Sequence, residues 1–433
     1  MKKIVLVIMI LISVNIFAAK KLGLDDIIES FNNKSSYVKK EKLELDKLKI
    51  DENGNFIDKW GKLSFNITPN YSYYTDKDKM PLNLQMTKDI SKYPGGITVN
   101  LGYNMFYSAI TYDNTTSKVK RVSYKLGLTK SLNDIIYSEQ KYKDNSINLN
   151  SKLTKLNLKI SKKTELKNIV DLYIRIKNLD SEILINENSL KVMNEEYENL
   201  IKKLEYGEAV KIDVEYMGIE IKSIKNSIEY LKKEIKNKKR ELLKKVGIED
   251  SDYEFKDIKA IDNFKIEINE DKIVVNSLNE KLNEENLKYY KRKSEPNINF
   301  DMNYDIEGKV WNAGIVFTGN IIEYGTDVRK TKKELDKLKI EKKELEIKSK
   351  EDKENAEIEY KNLLSKLEIA KEKMQNMEKR YEVDKNIYEN GYMSLLDFLK
   401  EQKNRDEAKL NYDKAKNELN GFRYKVKRDE IKG

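Results

Sequence analysis

The sequence has no cysteine and no histidine, and only 4 prolines and 17 glycines among its 433 residues. These absences exclude disulfides, thiolate nucleophiles, zinc sites built on either residue and histidine-dependent catalytic triads. No phosphate-binding loop, paired catalytic carboxylate or metal cluster stands out, so we expect neither enzyme activity nor a cofactor. A shortage of Pro and Gly beside abundant Lys, Glu, Leu and Ile is typical of long helices or coiled coils.

A large excess of one charge is also lacking: the chain has 84 Lys and Arg and 74 Asp and Glu, which gives a formal net charge of +10. Nucleic-acid binding needs basic residues clustered on one surface. Along Lys222–Lys245 and Lys332–Lys350 the lysines are instead interleaved with glutamates. That pattern is typical of a solvated helix face with i to i+4 ion pairs, so we expect no nucleic-acid partner.

The N-terminus has the parts of a secretory signal peptide. Two lysines precede an apolar run, Ile4–Val14, and small residues follow at Ala18 and Ala19. The run is shorter than the roughly 20 residues that a membrane-spanning helix needs. Residues 1–19 are therefore predicted to be a signal peptide, and the remaining chain is predicted to be exported.

Four segments alternate between apolar and polar residues: Leu63–Tyr73, Ile97–Tyr107, Ile298–Tyr304 and Trp311–Ile321. A period of two with one apolar face is typical of a β-strand between two different environments. Half-buried strands of a soluble sheet would show the same alternation. In an exported chain, strands of about ten residues rich in Tyr, Phe and Trp favour a lipid-facing side opposite a lumen-facing side.

The segments form two predicted hairpins, with a long polar loop over 75–95 in the first and a tight turn over 305–309 in the second. Four strands cannot close a barrel, and an open sheet edge in hydrocarbon leaves backbone groups without partners. Several chains must therefore share one barrel: two would reach the minimum of about eight strands, and three would leave room for a lumen. Aromatic residues at strand ends are candidates for the lipid boundary: Trp60, Tyr74, Tyr107, Tyr304 and Trp311.

After each hairpin the apolar spacing becomes helical, at intervals of three and four residues that form a heptad seam. Ser131–Val246 is predicted to form two long antiparallel arms that turn near Asn178–Ser181, and Thr326–Val426 repeats the plan. If the paired arms enclose a tunnel, charged residues near the predicted turns are candidates for lining its aperture, where converging walls focus the field. They are Asp180 and Glu182 in the first half and Lys366 and Glu368 in the second.

The two halves align at one constant separation. Pairs of like residues 184 positions apart are Tyr197 with Tyr381, Gly207 with Gly391, and Asp213 with Asp397. A glycine at this point allows a long helix to break, and an Asp or Ser after it favours the N-terminus of the next helix. One duplicated unit, a strand hairpin followed by a helical hairpin, accounts for most of the mature chain.

The segments around these glycines, Leu204–Asp213 and Tyr388–Asp397, resemble the TolC family of outer-membrane efflux proteins. That family has a glycine, then a serine or threonine, then an Asp-led helix at this point of each half. Ser394 matches the pattern in the second half, whereas Val210 takes its place in the first. The opening segment, Leu22–Ile28, also looks like the first helix of the family, and the order of elements extends the resemblance over nearly the whole mature chain.

The resemblance implies a mainly α fold with a membrane β-barrel, built from a duplicated β-hairpin plus long α-helical hairpin. Three copies would form a twelve-stranded barrel that continues into a periplasmic α-barrel of twelve helices. The implied divisions are a signal peptide (1–19), an N-terminal helix of the equatorial region (20–59), the first β-hairpin (60–130), the first helical hairpin (131–247), a linker with an equatorial helix (248–295), the second β-hairpin (296–322), the second helical hairpin (323–425) and a C-terminal tail (426–433).

The function that the resemblance implies is that of an exit duct in the outer membrane of a Gram-negative-type cell. The homotrimer, set in outer-membrane lipid, would receive substrates from an inner-membrane pump through a periplasmic adaptor and conduct them passively to the exterior. The system would be a tripartite efflux pump or a type I secretion system. The alternative is a secreted coiled-coil structural protein, or a periplasmic adaptor, without channel activity. The residues do not name the cargo, and drugs, metals and unfolded polypeptides all fit such a duct.

Overall fold

A computed structural model of the protein describes residues 20–59, 63–69, 82–90, 97–112, 115–135, 137–251, 253–261, 265–267, 269–319 and 325–429. The chain divides into two compact units. The helical unit takes in Met1–Lys42, Leu158–Asn269 and Lys348–Gly433, and the sheet unit takes in Leu43–Asn157 and Glu270–Ile347.

Seven α-helices lie within the described residues: α1 (Leu24–Lys34), α2 (Ser36–Lys59), α3 (Glu139–Glu205), α4 (Lys211–Val246), α5 (Asp271–Ser294), α6 (Thr326–Glu389) and α7 (Leu395–Asp429). Eight strands accompany them: β1 (Lys20–Leu22), β2 (Leu63–Pro69), β3 (Leu82–Ile90), β4 (Ile97–Tyr112), β5 (Thr115–Ser131), β6 (Tyr253–Phe255), β7 (Asn297–Asp305) and β8 (Val310–Thr318). In these described stretches, no helix combines the length and the apolar character needed to span a membrane.

The long helices turn later than the sequence predicts. α3 runs for 67 residues without a break, so the predicted turn near Asn178–Ser181 is wrong. The segment holds no Gly or Pro, and the Ser181 hydroxyl donates to the carbonyl oxygen of Lys177 one turn earlier, which satisfies this polar side chain inside a helix. α6 likewise continues through Lys366 and Glu368.

The four long helices of the helical unit pack in the order α4, α3, α7, α6. Both α4 and α7 run antiparallel to α3, because the partners of successive ion pairs advance in opposite directions along the two helices. The pairs are Lys245–Glu165, Arg175–Glu234 and Lys232–Glu187 for α3 with α4, and Lys425–Asp171, Lys414–Glu182 and Lys400–Glu196 for α3 with α7. α6 contacts α7 through stacked rings, Tyr360 on Phe422 and Tyr388 on Phe398.

One apolar core holds the helical unit together. Almost fully buried side chains come from α1, α3, α4 and the segment after β6: Ile27, Phe31, Ile169, Val170, Tyr173, Ile176, Leu179, Leu242, Leu243, Val246 and Ile258. β1 and β6 pair in parallel beside this core. The Tyr173 hydroxyl donates to the carbonyl oxygen of Lys256 at 2.6 Å and lies 3.0 Å from that of Leu22. Burial raises the pKa of this hydroxyl, which keeps it protonated as a donor.

α4 ends at a position that only glycine fits. Gly247 has φ 75°, and the next residue closes the helix by donating the Ile248 N–H to the carbonyl oxygen of Leu243 at 3.0 Å. A Cβ atom on Gly247 would lie 2.7 Å from the carbonyl oxygen of Lys34 at the end of α1. The close approach of α1 to α4 therefore depends on the missing side chain.

The sheet unit contains one antiparallel sheet in the order β2-β3-β4-β5-β7-β8. β2, β4, β7 and β8 confirm the predicted strands, but the sheet has six strands where the sequence predicts four. β3 lies inside the predicted loop 75–95, so that prediction is wrong for Leu82–Ile90. β5 extends to Ser131, and the first long helix begins only at Glu139. Prolines and glycines around β3, and basic residues within β5, hide the alternation of these strands.

Candidate functional site: an amphipathic sheet and two hairpin turns

The register of the six strands gathers their apolar positions on one face. One row across the sheet reads Phe65, Met86, Leu101, Leu126, Tyr304 and Trp311. The adjacent row belongs to the opposite face and reads Ser64, Thr87, Asn100, Gly127, Asn303 and Asn312. Successive residues of a strand point to opposite faces, so the sheet has an apolar face and a polar face across its whole width.

Several side chains of the apolar face are exposed, most of them on the edge strand β8, and the others described on β4, β5 and β7 are partly exposed. Trp311 is 59% exposed, Ile315 is 58% exposed and Phe317 is 69% exposed. Leu101, on the inner strand β4, is still 45% exposed. The Trp311 and Tyr304 rings stack across the strands with centroids 4.4 Å apart. A contiguous exposed apolar surface marks contact with a membrane or a partner.

The polar face is crowded at its centre. Gly127 lies between Asn100 and Asn303, and a Cβ atom on it would be 2.6 Å from the Asn303 Oδ1 atom and 3.4 Å from the Asn100 Cβ atom. Asn, Ser, Thr and Gly on this face suit a water-filled lumen.

Both edges of the sheet are open within the described chain. β2 forms one edge and β8 the other, and β8 is exposed along its whole length. An edge strand presents a row of N–H and C=O groups that can pair with another chain. The pairing pattern therefore leaves two complementary edges for additional strands.

The first hairpin turn lies between α3 and α4. Gly207 has φ 74°, and no neighbouring atom lies within 4 Å of the position that a Cβ atom would take, so its surroundings are open. The next helix begins after Val210, whose side chain makes no capping hydrogen bond. The Asp213 N–H instead bonds the backbone carbonyl oxygen of Val210 at 3.1 Å.

The second turn lies between α6 and α7 and repeats the first with a better cap. Gly391 has φ 82°, and its surroundings are equally open. The Ser394 Oγ atom accepts a hydrogen bond from the Asp397 N–H at 3.1 Å and donates to the Asp397 Oδ2 atom at 2.7 Å. The structure thus places the repeated glycines and aspartates at equivalent points, where the chain reverses direction.

Large apolar side chains are exposed at both turns. Tyr206, beside Gly207, is 81% exposed, and Tyr392, beside Gly391, is 86% exposed. Ile212, Tyr216 and Ile219 continue from the first turn along one face of α4, at intervals of four and three, and all are exposed. An apolar helical stripe of this kind suits docking against another helix.

The residues predicted to line an aperture are in helices, well away from either turn along the chain. Asp180 and Glu182 lie within α3, where the Glu182 carboxylate pairs with Lys414 of α7 at 3.0 Å. Lys366 and Glu368 lie on exposed positions of α6. Their expected loop position, on which the prediction rests, is therefore wrong. The segments around Gly207 and Gly391 occupy the turns instead.

Asp180 is half-buried among charged residues of α3, α4 and β6. Burial raises the pKa of the Asp180 carboxyl, against the attraction of Lys239 and Lys177. Burial, followed by repulsion from Asp257, raises the pKa of Asp413 on α7. The Lys177 Nζ atom lies 2.8 Å from the Asp257 Oδ1 atom. An acid whose folded pKa exceeds its unfolded pKa lowers stability when ionised, and that loss fades as the pH falls through the folded pKa.

Two of the five predicted boundary aromatics form a contact in the structure. Tyr304 and Trp311 stack at the end of the sheet next to the turn between β7 and β8. Tyr107 lies in β4, and Trp60 and Tyr74 lie outside the described residues. Contact of any of these rings with lipid stays a prediction.

Several buried asparagines fix backbone to which the sequence assigns no element. The Ile258 N–H donates to the Asn417 Oδ1 atom at 3.2 Å, and the Asn420 Nδ2 atom donates to the Ile258 carbonyl oxygen at 3.0 Å. Asn133 acts similarly at the sheet, where its Oδ1 atom accepts the Ile298 N–H at 2.7 Å. Asn417 and Asn420 are three residues apart near the end of α7, and this spacing is a weak sequence signal for them.

No protein-family model matches the chain, and no curated protein matches it. Among solved structures, it is similar to the Campylobacter jejuni CmeC outer membrane channel, with a TM-score of 0.61 and 13% identity over 94% of this chain and 85% of that chain. It is also similar to the open state of the Neisseria gonorrhoeae MtrE outer membrane channel, with a TM-score of 0.59 and 11% identity over 93% of this chain and 88% of that one. The outer membrane protein VceC of Vibrio cholerae gives a TM-score of 0.57 and 11% identity over 94% and 95% of the two chains.

At 11–13% identity the likeness is one of fold, and it extends over nearly all of each chain. The chain therefore has the fold of outer-membrane channel proteins, which confirms the resemblance to the TolC family seen in its sequence.

Proposed function

We propose that this protein is the outer-membrane channel of a tripartite efflux or type I secretion system and conducts substrates passively to the exterior. The observation that supports this most directly is the sheet, with an exposed apolar face, a polar opposite face and two open edges. The apolar face suits lipid, and the polar face suits water. The fold shared with outer-membrane channels supports the same conclusion.

One chain cannot form the channel alone. In hydrocarbon, each backbone group along an open edge would lack a hydrogen-bond partner, at a cost of several kcal/mol. Neighbouring copies remove both edges if they close a common barrel. We propose a homotrimer, the number that the family resemblance implies.

Exposed apolar residues on the long helices support the same assembly. Ile358, Ile369 and Val383 of α6 are 65%, 51% and 57% exposed, and their spacings of 11 and 14 residues place them on one helical face. This face of α6 and the exposed apolar stripe on α4 both suit packing against another helix. In the proposed trimer, neighbouring copies supply that partner and complete an α-barrel in the periplasm.

The proposed location is the outer membrane of a Gram-negative-type cell. The segment 1–19 provides for export, and the apolar face of the sheet provides the lipid contact. An adaptor and an inner-membrane pump would then be the partners. Tyr206 and Tyr392 at the hairpin turns support this, because large exposed apolar side chains at the end of a hairpin suit docking on another protein.

The proposed mechanism is conduction without chemistry. The polar face offers Asn, Ser, Thr and Gly, which can hydrate a passing solute without holding it. The pump, rather than this chain, would supply the free energy. The cargo class is left to experiment because small neutral side chains select weakly among solutes.

The first experiment is the native mass of the protein extracted from cell envelopes in mild detergent, followed by conductance in a planar lipid bilayer. A particle of three chains, absent from the soluble fraction, that opens ion-conducting pores is the expected result. A soluble monomer or dimer would contradict the proposal and favour the coiled-coil structural protein.

Two neighbouring substitutions on β4 test the assignment of the faces. Leu101→Arg places a charge on the apolar face, and we expect it to lower the amount of trimer in the membrane because such a charge costs roughly 2–4 kcal/mol at the bilayer midplane. Asn100→Arg, its matched control on the polar face, should keep the trimer and shift conductance toward anions. Loss of the trimer in both variants, or in neither, would contradict the proposed faces.

A further inference from the structure

We infer that each chain contributes six strands to the membrane barrel, and that β8 of one copy pairs with β2 of the next copy. This inference rests on the proposed function and departs from the four strands per chain that the sequence and the family resemblance imply. The strands beyond the four predicted ones are β3 and β5, and β3 joins the predicted strand β2 in a hairpin at the edge of the sheet.

The pairing register places the apolar positions of β2 and β3 on the same face as those of the other strands. On β3, Leu84 and Met86 are paired with Tyr103 and Leu101 of β4, so they share the apolar face. On β2, Phe65 and Ile67 are paired with Met86 and Leu84, which continues the same face to the edge. The polar positions are equally consistent: Ser64, Asn66, Thr68, Asn83, Gln85 and Thr87.

In water, this hairpin would not be stabilised by having its apolar positions on the same face as those of β4. Its apolar positions would extend an exposed apolar surface into solvent, which soluble proteins avoid. In a lipid bilayer the same positions lie against hydrocarbon, while their polar neighbours face the lumen. Lys88 is the exception on the apolar face. It is paired with Val99, near the strand ends that lead to the helices. A lysine at that level can reach the membrane boundary, so it fits this arrangement.

The directions of the edge strands allow them to pair between copies. β2 starts at the end of the sheet where β4 and β7 also start, and β8 finishes at that end. A β8 strand and a neighbouring β2 strand are therefore antiparallel, like every other pair in the sheet. The partner that fits each edge is a second copy of this chain.

The strand count sets the width of the channel. Three copies of a six-stranded sheet supply 18 strands instead of 12. Barrel diameter grows roughly in proportion to strand number, and barrels of about 16–18 strands enclose an aqueous channel. The mouth in the membrane is thus wider, by about half, than a barrel of four strands per chain would give.

Cysteine labelling in native outer membranes tests the inference, since the chain has no cysteine of its own. The variants are Leu84→Cys, Gln85→Cys, Met86→Cys and Thr87→Cys on β3, each treated with a water-soluble maleimide. The matched pair on β4 is Val99→Cys and Asn100→Cys, which should alternate whether each chain supplies four strands or six.

We expect Gln85→Cys and Thr87→Cys to react through the lumen and the two apolar positions to react far more slowly. A thiol in hydrocarbon has a raised pKa, and each unit of that rise lowers the reactive thiolate about tenfold. If Leu84→Cys prevents assembly, Met86→Cys still reports the apolar face of β3, because it lies two residues along on that face near the middle of the strand. Equal rates at all β3 positions, with alternation kept on β4, would overturn the inference alone. Equal rates on β4 as well would overturn the proposed function.

Discussion

Gly207 and Gly391 hold the same place in two helical hairpins, yet the helices that follow them begin differently. Both glycines are in the left-handed region, with φ of 74° and 82°. After Gly391, the Ser394 hydroxyl caps α7 through the Asp397 N–H. After Gly207, Val210 stands at the equivalent position and offers only its backbone to α4.

This difference shows that reversal of the chain and capping of the next helix are separate functions, which the second turn combines. Reversal of the chain needs a residue without a Cβ atom in the left-handed region, and both turns have one. Capping satisfies one backbone N–H of the new helix and only adjusts how firmly that helix starts. The first turn shows that the reversal does not depend on the cap.

The largest loss of stability is expected at the crowded end of α4, in comparison with the open turns. Gly247→Ala should cost roughly 1–2 kcal/mol for its left-handed backbone and a further 1–3 kcal/mol or so for displacing Lys34. Gly207→Ala, the matched control, should cost only the first of these amounts because no atom lies near its Cβ position. Thermal unfolding in mild detergent, followed by far-ultraviolet circular dichroism, measures both. Equal losses in the two variants would show that the contact with Lys34 is unimportant.

A smaller effect is expected at the cap of the second turn. Ser394→Ala removes the acceptor of the Asp397 N–H and should cost about 1 kcal/mol in the first turn of α7. Amide hydrogen exchange at Asp397 should become faster by about fivefold, the factor that corresponds to this free energy. Ser394→Thr keeps the hydroxyl and is the control. An unchanged exchange rate in Ser394→Ala would mean that the hydroxyl does not stabilise the helix start.

The smallest effect is a gain at the first turn. Val210→Ser introduces the hydroxyl that the second turn already has, and we expect it to stabilise the start of α4 by about 0.5 kcal/mol. Exchange at the Asp213 N–H should slow accordingly, and the two turns should become alike. Val210→Ala, which adds no acceptor, is the control. Equal exchange in both variants would indicate that the first turn cannot place a cap.

The strands were predictable where apolar and polar residues alternate over most of the segment. β4, β7 and β8 have this pattern, and the structure confirms them as strands. β3 has the same pattern, but Pro81 before it and the Pro-Gly-Gly segment after it favour a loop when local residues alone are considered. Pairing with β4 decides the outcome, because a strand is stabilised by neighbours that are distant in the sequence.

The sequence predicts that the long helices exist, but it does not predict correctly where the chain turns between them. Heptad spacing indicates a helix but does not show where it ends, since the same spacing continues on both sides of Asn178–Ser181. The turns coincide with Gly207 and Gly391, which the sequence singled out as helix breaks. Tertiary contacts such as those of Ile258 with Asn417 and Asn420 have no local signal strong enough to predict them.

The ion pairs between α3 and α7 also limit how such a chain can change its length during evolution. Lys425–Asp171, Lys414–Glu182 and Lys400–Glu196 share one register, in which each step forward on α3 is matched by an equal step back on α7. An insertion between Glu182 and Glu196 alone would shift the register of every pair beyond it. The long helices can therefore lengthen only by matched insertions in both halves, in whole heptads that keep the apolar seam aligned.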